Sequence, residues 1–459
     1  MTSDSTMSKE EQAYLDDATR VVELARKAGA DGAEALVSGG THLSVTVRQQ
    51  RVEKLIEAGS KSLGLRLFHH GRAVYCYTSD FQPAALEAFV ADTLELAAIG
   101  DPDPAAGLPD EPGGFGAPPV QLGLFDPAVE QIEPGQLIEL ARAAEQAAYD
   151  ADPRITNSDG ASAHRRAGWT AMATSHGFAG AYRSAGFGLA VEAIADDSGG
   201  KKQSGWWSSS KRVFADLESP LTVGQRAAGR AVRQLGARPV PTCRVPVVWE
   251  DTVGPHFVGL IAGAAHGPRV YRRDSFLLER EGESIGSGLV TIVDDPLLPG
   301  LLGSRPFDGE GLPARRNVLF DAGRFVGFLF DSYSARKCGR QSTHSAGRGG
   351  IQPGVTTTNL ALQPGSPSTA TLLAEVERGL LLTDLLGGTA NLTTGDFSYG
   401  AAGVWIERGQ LTHPVSEINV SGRLPEMLAS IDAVASELEW RGPTAAPTFR
   451  MAHLTVSGR

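Results

Sequence analysis

Residues 43–48 read Leu-Ser-Val-Thr-Val-Arg, and residues 63–67 read Leu-Gly-Leu-Arg-Leu. Both stretches alternate apolar residues with small or polar ones. Alternate side chains of a strand point to opposite faces, so each stretch predicts a half-buried strand. A third strand is predicted at 73–77, after the turn residues His70 and Gly71. The three together predict an antiparallel sheet, because strands joined by short turns run in opposite directions.

Helices and further strands are predicted on both sides of this sheet. Apolar residues recur every three or four positions over 11–28, which is the spacing of an amphipathic helix. By the same reasoning, helices are predicted at 83–98, 136–149, 222–235 and 255–265. Short strand segments are predicted within 155–216, and strands at 245–250, 289–293, 324–330 and 403–406. The predicted fold class is α+β, with mostly antiparallel sheets and packed helices in two parts.

Composition divides the 459 residues into regions. Residues 100–135 are rich in Pro, Gly and Asp, which is typical of a linker or a long surface loop. We therefore predict a flexible tail at 1–10, an N-terminal α+β domain at 11–125, a central α+β region at 126–240 and a C-terminal β-rich domain at 241–459.

The charge and cysteine content limit the classes of partner. A formal net charge of −11 disfavours nucleic acid as a partner, although two basic runs remain candidates for a local groove or for solvated surface. These runs are Arg269, Arg272, Arg273 and Arg336, Lys337, Arg340. Three scattered cysteines do not form a disulfide framework. No apolar run is long enough to cross a membrane, so we expect a soluble cytoplasmic protein.

Generic catalytic motifs predict no standard enzyme. Residues 282–286 match G-x-S-x-G, but charged residues precede them and a strand-like run follows, so a surface loop is favoured over a nucleophile elbow. Paired cysteines and HExxH are absent from the sequence. His69 and His70 are adjacent, but neither has a further ligand at useful spacing.

Several acidic residues lie beside Gly or Pro near the predicted ends of strands. Each of them either caps a turn or contributes to a functional site, and the pattern alone leaves both interpretations open. The set is Asp294, Asp295, Asp308, Glu310, Asp331 and Asp396.

Four segments of the second half, taken together, resemble the PmbA/TldD family, and in particular its TldE type. They are YRRDSFLL at 271–278, PFDGEG at 306–311, LFDSYSARK at 329–337 and TGDFSYGAAGVW at 394–405. Two further segments, at 151–157 and 175–177, extend the resemblance into the first half. It implies a subunit of a heteromeric peptidase, whose TldD-type members hold zinc through His-Glu-x-x-x-His and a late cysteine.

This sequence departs from the TldD pattern at the metal site that the resemblance implies. Ile261 stands at the first histidine, Ala262 at the glutamate, and only His266 remains. The late cysteine corresponds to residues 439–442, which contain none. Catalytic zinc needs three protein ligands and a nearby base. The resemblance therefore implies a TldE-type chain with no metal or catalytic residue of its own, and zinc in a TldD-type partner.

The resemblance also implies a role in a shared substrate chamber. Small unfolded peptides can be bound as an added strand through backbone hydrogen bonds. The candidates for the cavity or the partner interface are His266, Arg272, Asp308, Glu310, Asp331, Arg336, Thr394, Gly395, Asp396 and Phe397. Loop and core structure is the alternative for each, and for His266 a purely structural role. A homodimer of the isolated chain is compatible with the role that the resemblance implies.

Two other functions stay open at this point. An older label of the family, modulator of DNA gyrase, implies a binding protein that acts on gyrase-directed toxins or antitoxins without peptidase activity. The remaining alternative is a hydrolase with an unusual site of its own.

Overall fold

A long antiparallel sheet forms the first half of the molecule. The computed structural model describes residues 7–110, 121–348 and 352–458. The strands of this first sheet are β1 Gly32–Arg48, β2 Arg51–His69, β3 Arg72–Thr78, β4 Ile155–Thr174, β5 Ala179–Asp196 and β6 Lys202–Lys211. Their order is β3-β2-β1-β4-β5-β6, and every neighbouring pair is antiparallel.

The strands predicted at 43–48, 63–67 and 73–77 are confirmed as parts of β1, β2 and β3. The prediction of several short segments within 155–216 is wrong, because this region holds three long strands. Their sequence is rich in Ala, Gly and Ser, which have weak strand preference, so alternation is faint there. The first sheet also crosses residue 125, so the predicted N-terminal and central regions share it.

Four helices cover one face of the first sheet. They are α1 Lys9–Lys27, α2 Pro83–Ala97, α3 Pro134–Ala151 and α4 Pro220–Arg233. Val37 and Val45 of β1 are fully buried beneath them. The helices predicted at these places are confirmed within a few residues.

Helix α1 starts inside the segment predicted as a tail. Ser8 and Glu11 form a capping box, in which the Glu11 N–H donates to Ser8 Oγ at 3.1 Å. The Ser8 N–H donates to Glu11 Oε2 at 2.7 Å. This satisfies two free backbone donors and starts the helix at Lys9. Residues 1–6 of the predicted tail lie outside the described residues.

The C-terminal half contains a second sheet of six strands, five of which close into a ring. Its strands are β7 Cys243–Trp249, β14 Arg378–Ala390, β15 Asp396–Glu407, β16 Gln410–Arg423, β17 Ile431–Val434 and β19 Phe449–Ser457. The order is β16-β15-β14-β7-β19-β17, and β16 also pairs with β19. Within this sheet β7 and β14 are parallel, and the other pairs are antiparallel.

Smaller elements complete this half. A third sheet has the order β10-β9-β8-β13-β18, and β11 pairs with β12. Their bounds are β8 Ile292–Asp294, β9 Asn317–Asp321, β10 Arg324–Phe325, β11 Ala346–Gly347, β12 Gly354–Val355, β13 Leu360–Leu362 and β18 Thr444–Ala445. The helices are α5 Gly254–Ala264, α6 Gly267–Arg272, α7 Ser332–Cys338, α8 Thr369–Ala374 and α9 Leu424–Ala429.

The strand predicted at 324–330 is confirmed only at Arg324 and Phe325. Beyond them the chain leaves the sheet, and Phe328, Leu329 and Phe330 are buried in the large C-terminal core. Burial of three consecutive large residues gives a continuous apolar run that resembles a buried strand in sequence.

Trp249 lies at the centre of the C-terminal core. Its ring stacks on Phe449 with centroids 5.7 Å apart and contacts Phe257 of α5 at 5.6 Å. This packing fixes α5 against the second sheet. None of the helices in the described ranges is long and apolar enough to span a membrane.

Candidate functional site

A cleft of about 680 Å³ lies between the first sheet and the C-terminal half. One wall is the sheet face opposite the helices, and it presents Leu36, Ser38, Thr170 and Met172. The other wall is a loop that presents Arg305, Phe307 and Asp308. A cavity of this size, lined by aromatic, hydroxyl and charged groups, suits a ligand with both apolar and polar parts.

Asp308 shapes the loop wall of the cleft. Its Oδ1 accepts hydrogen bonds from the N–H groups of Glu310 and Leu312, both at 2.9 Å. Its Oδ2 accepts from the Ala346 N–H at 3.2 Å. Gly311 has a φ of +83°, and a Cβ there would lie 2.5 Å from the Phe178 ring. The segment 306–311 is therefore a tight turn that requires its carboxylate and its glycine.

A buried ionic network, formed by Glu34, Arg66, Glu310 and Arg348, lies behind the cleft. Arg66 Nη1 is 3.6 Å from Glu310 Oε1 and 4.0 Å from Glu34 Oε2. Arg348 pairs with Glu34 and donates from Nε to the Gly309 carbonyl at 2.6 Å. Glu34, Arg66 and Glu310 are at most 3% exposed. The network connects strands β1 and β2 to the loop wall.

Burial controls the proton affinity of the two loop carboxyls. It raises the pKa of Asp308, and the positive charge of Arg305 opposes this rise. It also raises the pKa of Glu310, and here Arg66 opposes. A raised pKa is a property of general acids. However, backbone amides occupy both oxygens of Asp308, and Glu310 Oε2 accepts from the Ser332 N–H at 2.8 Å. These contacts favour a structural role for both groups.

Asp331 and Arg336 act at the two ends of α7. Asp331 caps its start, since Oδ1 accepts from the Ser334 N–H at 2.8 Å. Arg336 reaches the segment before residue 111 and donates from Nη1 to the carbonyls of Ala105 at 3.0 Å and Gly107 at 3.2 Å. Its Nε also donates to Asp110 Oδ2 at 3.1 Å. Part of the predicted 100–135 linker is therefore fixed to the C-terminal half.

The other candidates from the sequence do not line the cleft. Thr394, Gly395 and Asp396 form the turn that enters β15, where Thr394 Oγ1 donates to Asp396 Oδ2 at 2.5 Å. Phe397 is 2% exposed and packs on Trp249. The surface residue Arg272 pairs with Asp274 at 3.3 Å. The structure thus brings Asp308, Glu310 and Asp331 together and places these five residues elsewhere.

His266 lies between α5 and α6. Burial lowers the pKa of His266 to about 4, and nearby Arg269 adds to this effect, so the imidazole is neutral at physiological pH. Next to it, the Gly267 N–H donates to the Leu329 carbonyl at 2.7 Å.

The residues around His266 do not fit a catalytic zinc. Ile261 is 0% exposed and Ala262 is 1% exposed, and both belong to the apolar core. Their alkyl side chains supply neither a ligand nor a base, which leaves a single imidazole where three ligands are needed. At 439–442, where the late cysteine would lie, Arg441 pairs with Asp251 at 2.9 Å.

In the described part of the chain, one group of side chains is arranged so that it could hold a metal ion. Asp31, His69 and His70 place ligand atoms within 4.8 Å of one another at the turn between β2 and β3. The Asp31 carboxylate accepts a hydrogen bond from the His70 N–H at 2.5 Å, and this bond accounts for the position of the Asp31 side chain. Sequence reasoning missed Asp31, because the predicted strands 43–48 and 63–67 stop short of it, and only the full length of β1 and β2 brings it near His69.

The residues of the buried network were also missed from the sequence. Glu34 and Arg66 are directly opposed across β1 and β2. Each is the one Asp, Glu, Lys or Arg in a locally apolar stretch, 32–37 for Glu34 and 63–68 for Arg66, and the opposite charge across the strands was the available signal.

Three family models match the chain in order. The PmbA/TldA metallopeptidase domain 1 matches residues 33–97, the central domain 127–235 and the C-terminal domain 242–458. The metalloprotease PmbA of Escherichia coli O157:H7 is 35% identical over 430 residues, which is 94% of this chain and 93% of the relative. The chain belongs to the PmbA/TldD family. The resemblance of its sequence to this family is thereby confirmed.

Solved structures of similar proteins share the fold of this chain. A candidate modulator of DNA gyrase from Bacteroides thetaiotaomicron has a TM-score of 0.91 at 28% identity and covers 99% of this chain and 100% of that one. TldE from Thermococcus kodakarensis has a TM-score of 0.86 at 20% identity and covers 96% and 100%. The α+β prediction for this PmbA/TldD member is confirmed.

Proposed function

We propose that this chain is the TldE-type subunit of a heteromeric zinc peptidase that acts on small unfolded peptides. In this proposal it holds no catalytic zinc, and its cleft forms part of the chamber in which a TldD-type partner cuts. The observation that carries the proposal is the burial of Ile261 and Ala262 in the core, at the positions of the zinc ligand and the base.

This core packing implies different roles for the two subunits in the proposal. A partner with an HExxxH motif would supply zinc, which activates water for attack on the peptide bond. This chain would supply surface that binds peptide. Strand β3 forms one edge of the first sheet, and its Tyr77, which is 71% exposed, lines the cleft. Sheet edges bind extended peptides through backbone hydrogen bonds, largely independently of peptide sequence.

The proposal also places the complex in the cytoplasm. Cys76, Cys243 and Cys338 are free thiols, as expected in a reducing compartment. The proposal needs no nucleic acid as a partner, and it is compatible with a homodimer of the isolated chain.

Reconstitution tests the proposal. Each subunit alone and both together are assayed with unstructured peptides, and a matched complex carries Gln for the partner's HExxxH glutamate. We expect turnover only in the complex with an intact partner. Zinc content alone does not discriminate, because Asp31, His69 and His70 could bind zinc on the surface. Peptidase activity of the isolated chain would refute the proposal, whether or not it survives His69→Ala and His70→Ala.

A second candidate function is a binding protein that modulates the action of DNA gyrase toxins or antitoxins. It is favoured by the similarity to the Bacteroides protein described as a candidate modulator of DNA gyrase. Stoichiometric binding of such a toxin by this chain, without peptide turnover when a TldD-type partner is added, would favour this function over the first.

A further inference from the structure

The open face of the first sheet continues beyond the cleft. Ser38 lines both the cleft and a second hollow of about 500 Å³, so the two are contiguous. Even-numbered residues of β1 oppose even-numbered residues of β4 along this face. From the cleft outward the pairs are Ser38 with Thr170, Gly40 with Gly168, His42 with Arg166, and Ser44 with His164. The face thus changes along one direction from hydroxyl groups to glycine to basic side chains.

Three basic side chains, His42, His164 and Arg166, form a basic row at the far end. The rings of His42 and His164 lie 6.0 Å apart, and Arg166 is exposed directly opposite His42. The residues that line the hollow are neutral or basic, with no carboxylate among them. Arg166 supplies the positive charge of this set. Burial, with His42 and Arg166 nearby, lowers the pKa of His164, whose neutral ring still offers one N–H donor. Such a set attracts a negatively charged group, because charge-assisted hydrogen bonds are stronger than neutral ones.

Glycine residues leave the backbone of the first sheet uncovered on this face. A Cβ at Gly188 would lie 2.1 Å from a ring atom of His164, so the imidazole rests directly on β5. A Cβ at Gly40 would lie 2.3 Å from the Ala167 carbonyl oxygen. Gly40 and Gly168, which oppose each other between the cleft and the basic row, carry no side chain, so a second backbone can approach the sheet closely there.

The dimensions of the face match an extended peptide. Leu36 in the cleft and His42 in the basic row are six positions apart on β1, which corresponds to about 20 Å in a strand. We propose that a peptide lies along this face in extended form, with its apolar side chains in the cleft and a carboxylate group held by the basic row. This inference rests on the proposed function and specifies which peptides this chain prefers.

Peptide binding to the isolated full-length chain tests the inference. The probe is a fluorescein-labelled hexapeptide of Ala and Ser with a free carboxyl terminus, compared with its C-terminal amide by fluorescence anisotropy. We expect the free acid to bind about tenfold more tightly than the amide, the effect of losing one charged hydrogen-bonded group. Arg166→Gln should remove this preference, and His42→Gln should reduce it.

Controls separate this inference from general effects. Arg154 already forms a two-bond fork with Asp152 on the surface, so Arg154→Gln removes a charge and should keep the preference. An amidated peptide with one Glu distinguishes a side-chain carboxylate from a terminal one as the preferred group. Equal affinity of wild type for acid and amide, or no binding of either, would overturn the inference. The reconstitution assay judges the proposed function independently of this result.

Discussion

The guanidinium of Arg66 lies 3.6 Å from the Glu310 carboxylate, and this contact joins strand β2 to the loop wall of the cleft. Arg66 is 3% exposed and Glu310 is 1% exposed. Arg66 also donates from Nη2 to the Gly107 carbonyl at 2.7 Å. Arg66 therefore contacts the sheet, the linker and the C-terminal half. These contacts fix the position of one cleft wall relative to the other.

Removing this guanidinium should destabilise the whole protein. Arg66→Met leaves Glu34 and Glu310 buried with fewer positive partners, which costs about 3–5 kcal/mol when one member of a buried pair is lost. Urea unfolding at neutral pH measures the change. Arg154→Met, at a surface pair, serves as the control. A loss for Arg66→Met no larger than that of the control would contradict the network described here.

Ile261, which stands where TldD-type members have a zinc ligand, should contribute to stability as a core residue does. Ile261→Ala removes a fully buried side chain and should lower the free energy of unfolding by about 2–5 kcal/mol. Leu221→Ala, at a position 57% exposed, should change it little. Chemical denaturation compares the two variants. A near-neutral effect of Ile261→Ala would show that this part of α5 is not packed as described.

Arg336 should control the order of the segment that it holds. In Arg336→Gln the carbonyl of Ala105 loses its side-chain donor and the carbonyl of Gly107 keeps only Arg66, so local opening should become easier by about 1–3 kcal/mol. Hydrogen exchange of the amides at 103–108 measures this effect. Exchange in the first sheet should not change, and Arg272→Gln provides a matched surface control. Uniformly faster exchange would indicate global destabilisation instead.

Asp294 should make stability depend on pH. Burial raises the pKa of Asp294 to about 6, from 3.8 for an ordinary aspartate. Because the folded state holds this proton more tightly, the stabilisation is complete below about pH 4 and is lost as the pH rises to about 6. Asn keeps an acceptor for Thr358, whose N–H donates to Asp294 at 2.6 Å.

The variant Asp294→Asn should therefore gain stability relative to wild type as the pH rises. We expect a gain of about 1–3 kcal/mol at pH 7 and almost none at about pH 4. Urea unfolding across this pH range gives the comparison. The same difference at every pH would show that the carboxyl does not titrate as burial predicts.

The sequence predicted those elements whose side chains alternate or repeat strongly. The alternation of Leu43, Val45 and Val47 with polar residues defines one buried face clearly, and this pattern predicted part of β1. By contrast, β4 and β5 bury mostly Ala and Gly, and small residues give little contrast between buried and exposed positions. Periodicity therefore found the first strands and the helices, and underestimated the length of the central strands.

The candidate site was predictable only in part, for a similar reason. Asp308 and Glu310 stand in a motif with glycine, so local sequence drew attention to them. Arg66, the partner of Glu310, and Glu34, which Arg66 also faces, lie more than two hundred positions earlier, on strands where they belong to no motif. Such contacts depend on the packing of the first sheet against the C-terminal half, which no local pattern records.

The pairing of β7 has a consequence for biosynthesis. Trp249 at its end pairs with Leu382 of β14 on one side and with Phe449 of β19 on the other. The strand emerges from the ribosome long before either neighbour exists, whereas β1 and β2 can pair at once across a short turn. Nascent chains thus carry a hydrophobic strand with two open edges while synthesis continues, and during this interval the strand is open to pairing with other chains, which is a route to aggregation.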